Sequence, residues 1–187
     1  MKVRPGDVVR IRELHTVDDK PIRVPDPERL THLEFRRFAG CPICNVHLQS
    51  MVAGHAQIVA AGIHQVVLFH STPEEVRTYA RDLPFDVVAD PDKQLYEEFG
   101  VETSLRGVLD PRATAPVVKA LFRRGGTERV RPFTGAPTHP TGGHLGLPAD
   151  ILLDPAAAVV ACKYGTHAYD QWSVDELLDQ ATHFEQA

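Results

Sequence analysis

Long hydrophobic runs are missing from this 187-residue chain: the longest, at 58–63 and 66–69, fall far short of the roughly 20 residues that span a bilayer. The N-terminal stretch MKVRPGDVV has no apolar segment of the kind that leads a secreted protein. These absences predict a cytoplasmic location and no membrane partner. An excess of positive charge is missing as well. Twenty Lys and Arg stand against 25 Asp and Glu, a net charge of −5, which gives no electrostatic basis for binding nucleic acid. Cysteine is scarce, and three residues cannot build a disulfide framework. Repeats and low-complexity tracts are absent, so one continuous domain, 1–187, is expected. A hydrophobic share of 43% against 24% charged is enough to give that domain a packed core.

What is present reads as alternating strand and helix. Residues 7–25 suggest an N-terminal hairpin within an extension over 1–30, with Asp18, Asp19 and Lys20 at its turn. A strand is expected at 32–38, with Leu33 and Phe35 on one face and Glu34 and Arg36 on the other. Apolar spacing predicts a helix over 42–61 that Gly62 ends. Val66 to Phe69 is a continuous apolar run, as in a strand buried on both faces. Thr72, Pro73 and Glu75 form the opening of another helix, Phe85 to Ala89 a further strand, and Asp90-Pro91 the start of a helix through Phe99. Residues 151–153 and 159–162 suggest an antiparallel hairpin, and Ser173 to Glu176 a capping box that opens the last helix. The fold class is α/β, a central mixed sheet flanked by helices.

Residues 101–149 break the pattern. They are rich in proline and glycine and predict a long loop insertion, with one short helix near 117–122. Between Arg106 and Arg131 seven basic and two acidic side chains make a local positive excess. A solvated loop face is the ordinary reading of such a run, and an anion-binding surface the other.

The chemistry concentrates at Cys41-Pro42-Ile43-Cys44. A free thiol has a pKa near 8.5, and the reactive form is the thiolate. Cys41 falls where a helix begins, so unpaired N–H groups and the helix dipole favour its anion. Cys44 lies about one turn further on, within reach of Cys41 once that sulfur carries a mixed disulfide or a sulfenic acid. Cys41 is therefore expected to be the more exposed, attacking residue and Cys44 the resolving one. Zinc is the competing use of this spacing. Cys41, Cys44 and His47 offer three ligands, but the sequence supplies no second CxxC or HxxxH pair to complete the site, so no metal is expected. Cys162 sits among Val159, Val160 and Ala161 and reads as an inert thiol.

The stretches GDVVRIREL, LEFRRFAGCPIC, VVLFHS, PFDVVADPDKQLYEEFGVE and GLPADILLDPAAAVV resemble the peroxiredoxin-like branch of the AhpC/TSA group within the thioredoxin-like superfamily. The resemblance implies a thioredoxin-like fold and an oxidoreductase without a bound cofactor. It further implies a peroxide or a protein disulfide as substrate, an external thiol as reductant, and a homodimer, since related domains often dimerise. It also places Pro148 in the position of a cis proline that lies against the active-site cysteines, and Pro148, Pro42 and Arg37 beside the substrate. Two departures stand out. Peroxiredoxins carry Thr or Ser three residues before the attacking cysteine, where this chain has Phe38, and an Arg near the later strand, where it has Leu147-Pro148. Arg36, Arg37 or an Arg of the basic insertion is the candidate for the missing positive charge. Counted back from Cys44 instead, the threonine's place falls on Cys41 itself, an alignment that exchanges the attacking and resolving roles. The alternative function is a redox-sensing or zinc-binding interaction module without catalysis.

Overall fold

A computed structural model of the chain describes residues 1–80, 83–102, 110, 112 and 139–185. The predicted helix near 117–122 and most of the basic segment lie outside the described residues. Arg12–His15 (β1) and Pro21–Val24 (β2) form the expected N-terminal hairpin, a separate antiparallel pair. Leu30–Arg36 (β3), Ile63–Phe69 (β4), Asp86–Ala89 (β5), Ala149–Leu153 (β6) and Val159–Tyr164 (β7) make a five-stranded sheet in the order β5-β4-β3-β6-β7. β3, β4 and β5 run parallel, and β6 and β7 join antiparallel. The sheet is thus mixed, as expected. Among the described residues no helix is long and apolar enough to cross a membrane.

Both faces of the sheet are covered. Pro42–Ala60 (α1), Pro73–Tyr79 (α2) and Val174–Glu185 (α4) pack on one face, where Leu48, Met51, Ile58, Val67, Phe69, Leu152 and Leu177 form a core. Gln94–Glu98 (α3) and the hairpin cover the other, with Val24, Leu33, Phe35, Leu68, Tyr96 and Ile151 between them. The alternation of β4 explains this division, because Val66 and Leu68 point one way and Val67 and Phe69 the other. Gly54 on α1 lets α4 approach closely. A Cβ there would lie 2.7 Å from a methyl of Val174.

The helix starts follow their sequence signals, with one correction. Thr72 and Glu75 close a reciprocal capping box on α2, and Ser173 and Glu176 do the same on α4. The helix expected from Asp90 starts only at Gln94. Lys93 adopts a left-handed backbone (φ 57°) and interrupts the turn, while the Asp90 carboxylate accepts the Gln94 and Leu95 N–H groups from a distance.

The two faces of β3 divide as its alternation predicts, and its polar face is enclosed as well: His32, Glu34 and Arg36 are wholly buried. Glu34 stands directly opposite Asp150 on β6, and two facing carboxylates repel. Arg36 resolves the conflict, its Nη2 lying 2.6 Å from Glu34 and 2.8 Å from Asp150. His32 Nε2 lies 3.0 Å from Asp150 on the other side, and the Trp172 N–H donates to the second Asp150 oxygen. Gln65 donates to Glu34 and shares a 2.7 Å contact with His55.

The N-terminal extension is tied to the sheet at both sides. Gly6 N–H donates to Val159 C=O, Val159 N–H to Asp7 C=O and Val9 N–H to Ala157 C=O along β7, and Val17 N–H donates to Val87 C=O on β5.

Candidate active site

The C-terminal ends of β3 and β4 meet at one edge of the core. Parallel sheets of this kind commonly place their chemistry there. The chain leaves β3 through Arg37, Phe38, Ala39 and Gly40, and the positive φ of Gly40 (81°) turns it into α1. Cys41 is the N-cap of α1 and Pro42 its first residue, where a missing N–H costs nothing. Ala39 N–H donates to Ser71 Oγ, and the Tyr96 hydroxyl lies 2.5 Å from Arg36 C=O and 2.8 Å from Leu68 C=O. These bonds fasten the turn to the end of β4 and to α3.

Cys41 and Cys44 are both free thiols and lie together with Phe38 in one small cluster. The Cys44 thiol hydrogen-bonds the Cys41 sulfur, Arg37 Nη1 stands 3.5 Å from that sulfur, and the Ile43 and Cys44 N–H groups favour its anion. Together they outweigh burial and bring Cys41 down to about 6. Cys44 moves the other way. As donor to Cys41, and buried, its thiol is pushed well above the ordinary range. The two sulfurs are thus electrically unequal, with Cys41 the anion at neutral pH and Cys44 the proton holder.

Arg37 is the arginine that turns inward to sulfur, whereas Arg36 is consumed by Glu34 and Asp150. The second terminal nitrogen of Arg37, Nη2, donates to His144 C=O. Phe38, at the position where the resembled enzymes have Thr or Ser, meets His144 edge to face at 5.1 Å.

Exposure differs from expectation. Cys41 is no more open than Cys44, each being 1% exposed. Phe38, Ile43 and the segment around His144 close over the sulfurs. That segment is held down at several points: Thr141 donates to Glu75, Lys93 to Gly142 C=O and Leu147 N–H to Glu102 C=O.

Pro148 sits one residue before Ala149, which pairs with Phe35, and so occupies the same end of the sheet as the cysteines. Its peptide bond is not cis; among the described residues only Val24-Pro25 is. Pro148 enters β6 with its C=O accepting Gly165 N–H, and its ring packs on Gly165, where a Cβ would lie 2.8 Å away.

His47 turns from the cysteines and donates through Nε2 to Trp172 C=O at 2.7 Å. Burial and Arg36 hold it down at about 4, a neutral core imidazole. His32, Glu34 and Asp150 have donor atoms within 4.8 Å of one another, a spacing that suits a metal ion. Arg36 already bonds both carboxylates, so a second cation there would meet a guanidinium. His70 was not singled out by its sequence; its one signal was its place at the end of the apolar strand VVLFHS. Its ring is 1% exposed, lies 5.6 Å from that of Tyr96, and is held down at about 4 by burial, Lys93 and Arg37.

The sequence model of a family described as AhpC/TSA antioxidant enzyme matches residues 47–167, beginning just after the two cysteines. No curated protein sequence matches significantly. Among solved structures, a cysteine-to-serine mutant of PrxQ from Xylella fastidiosa superposes with a TM-score of 0.69 at 10% identity, covering 99% of each chain. Peroxidoxin BcpB from Mycobacterium tuberculosis gives 0.65 at 15% identity over 97% of each. A candidate thiol:disulfide interchange protein DsbE from Chlorobium tepidum gives 0.60 at 16% over 100% of each. At such identities the likeness speaks for the fold.

Proposed function

The chain belongs to the AhpC/TSA antioxidant enzyme family, and on that premise we propose that it is a thiol peroxidase in which Cys41 attacks and Cys44 resolves. The observation that carries this reading is the unequal pair: Cys41 is held as thiolate by Cys44, Arg37 and the head of α1, with a protonated Cys44 beside it.

The Cys41 thiolate attacks one oxygen of a peroxide. The O–O bond breaks, the departing oxygen takes a proton and leaves as water or alcohol, and Cys41 becomes a sulfenic acid. Cys44 gives up its proton and attacks the Cys41 sulfur, the S–O bond breaks, and water leaves as the disulfide forms. Two equivalents of an external thiol restore the dithiol and depart as their own disulfide. Arg37 supports the anion in this sequence, Pro42 fixes the helix start that presents it, and Pro148 borders the same end of the sheet. No step requires a bound cofactor.

A protein disulfide is the second reading, favoured by the resolving thiol one turn away. The cover over Cys41 weighs against it, since in-line attack on a protein disulfide needs a sulfur at the surface, whereas a peroxide needs only a narrow path. The test is to mix reduced protein with hydrogen peroxide and with a model protein disulfide and to compare second-order rates for wild type, Cys41→Ser and Cys44→Ser. Peroxide is expected to oxidise the wild type fastest, with the reaction lost in Cys41→Ser and disulfide formation lost in Cys44→Ser. Rates no greater than those of a free thiol with both substrates would end the enzymatic reading.

A further inference from the structure

A cleft of about 500 Å³ opens beside α3, with His70, Lys93, Tyr96, Val101 and Gly146 on its walls. Its size is that of a site for a small organic ligand, and far more than hydrogen peroxide occupies.

His70 is the unusual member. Among the described residues neither ring nitrogen has a hydrogen-bond partner in another residue, although both are buried, and the one backbone group that acts on the ring is that of His70 itself. A neutral imidazole carries one N–H and one lone pair, and burying either unmatched is unfavourable. The ring is wedged between two glycines of the covering segment. A Cβ on Gly142 would lie 2.4 Å from Nδ1, and one on Gly146 would lie 3.0 Å from Nε2. Gly146 also lines the cleft, so the Nε2 edge is the one nearest to it.

Charge is arranged along the same line. Lys93 donates to Gly142 C=O at 2.8 Å, which leaves two of its three N–H groups for a ligand. Beyond Gly146 lies Arg37, whose Cγ would be 3.4 Å from a Cβ there and whose guanidinium touches the Cys41 sulfur. The carboxylates facing the cleft are Glu97 and Glu102, both exposed, and Lys2 pairs with Glu102 at 3.4 Å.

We propose that this cleft binds a small organic carboxylate, with Lys93 holding the carboxylate and His70 hydrogen-bonding a polar group deeper in, toward Arg37 and Cys41. Its place on the route to the thiolate rests on the function proposed above; the binding itself does not. Two molecules share the required chemistry, a carboxylate-bearing hydroperoxide as substrate and a carboxylate-bearing thiol as reductant.

Binding is tested by NMR titration of the full chain carrying Cys41→Ser with hexanoate and with hexanamide. Hexanoate is expected to bind about fivefold more tightly, as one partly buried ion pair provides, and to shift His70, Lys93 and Gly146 signals. Lys93→Gln should erase the preference, and His70→Leu should weaken binding while leaving the melting temperature equal or higher. Equal affinity for acid and amide, or shifts confined to other residues, overturns the proposal. Rates then identify the source: a carboxylate-bearing hydroperoxide against its methyl ester on reduced protein, and 3-mercaptopropionate against its methyl ester on oxidised protein, each ratio divided by that of Lys93→Gln. A preference for the acid in either arm supports the proposal and names the source, and turnover with no preference in either arm overturns the cleft's place on the route to the thiolate. Protein that binds hexanoate as expected yet reacts with no peroxide or disulfide keeps the site and loses the enzymatic reading.

Discussion

Arg37 and Cys41 make contact, guanidinium to sulfur at 3.5 Å, beneath a cover that leaves Arg37 3% and Cys41 1% exposed. A charge pair so shielded from water is screened little by salt and acts at nearly full strength. The contact therefore favours the ionised form of Cys41 with no ligand present.

The pH profile follows from this pair. Cys41 reactivity toward iodoacetamide should rise through a midpoint near pH 6 and level above it, because the thiol is the acid and its loss of a proton creates the nucleophile. Cys44→Ala removes the largest cause of the lowering and Arg37→Met a further one, so both should move the midpoint upward. At neutral pH each should slow alkylation by up to about tenfold. A midpoint unchanged in both variants would contradict this account.

The cover should be adjustable without touching the thiolate. Glu75 holds it by accepting the Thr141 N–H at 3.0 Å and hydroxyl at 2.9 Å. Glu75→Ala is expected to raise labelling of Cys41 by a bulky maleimide several-fold relative to iodoacetamide, through more frequent local opening. The alkylation midpoint should stay in place.

The buried charges under α1 predict a large, asymmetric stability effect. Arg36→Met leaves Glu34 and Asp150 facing each other without the guanidinium they share and should cost about 3–5 kcal/mol in urea denaturation. Replacing Glu34, Arg36 and Asp150 together by apolar residues of similar size should cost less than that single change. Burial alone would raise the Asp150 carboxyl, but Arg36 and His32 outweigh it and hold it below the usual range. A lowered carboxyl stabilises the fold above its unfolded pKa, about 4, and loses that contribution as pH falls through the folded value. Asp150→Asn should therefore flatten the acid limb of the stability profile.

At the α1–α4 crossing, Gly54→Ala puts a methyl 2.7 and 2.8 Å from the two methyls of Val174. The β-branched valine has little freedom to move aside. A loss of about 1–3 kcal/mol is expected, and Val174→Ala in the same chain should recover part of it. Simple additivity in the double-mutant cycle would show that the two side chains do not meet.

Where the sequence was informative, a local physical rule was at work. The start of α1 was legible because apolar spacing over 42–61 begins directly after the strand, which put Cys41 at the head of the helix and Cys44 one turn further on. Thr72 with Glu75 and Ser173 with Glu176 were equally readable. What stayed hidden depends on partners distant in the chain. Alternation in β3 separated Glu34 and Arg36 from Leu33 and Phe35, yet nothing local indicates that α1 lies over the charged face or that Asp150 pairs with Glu34. The choice of Arg37 over Arg36 depends on the same event. The burial of Cys41 follows from His144 and its neighbours, more than a hundred residues away, and the late start of α3 from a single left-handed residue, Lys93.

The hydrogen bonds from residues 6–9 to β7 and from Val17 to β5 have an implication for how copies of this protein meet. An open sheet margin is a template for a strand from another chain, and here a neighbouring part of the same polypeptide already occupies it on both flanks. Shortening the first two dozen residues would unmask those margins together with the apolar side chains that Ile22 and Val24 now shield, and the sticky result would be runaway polymer.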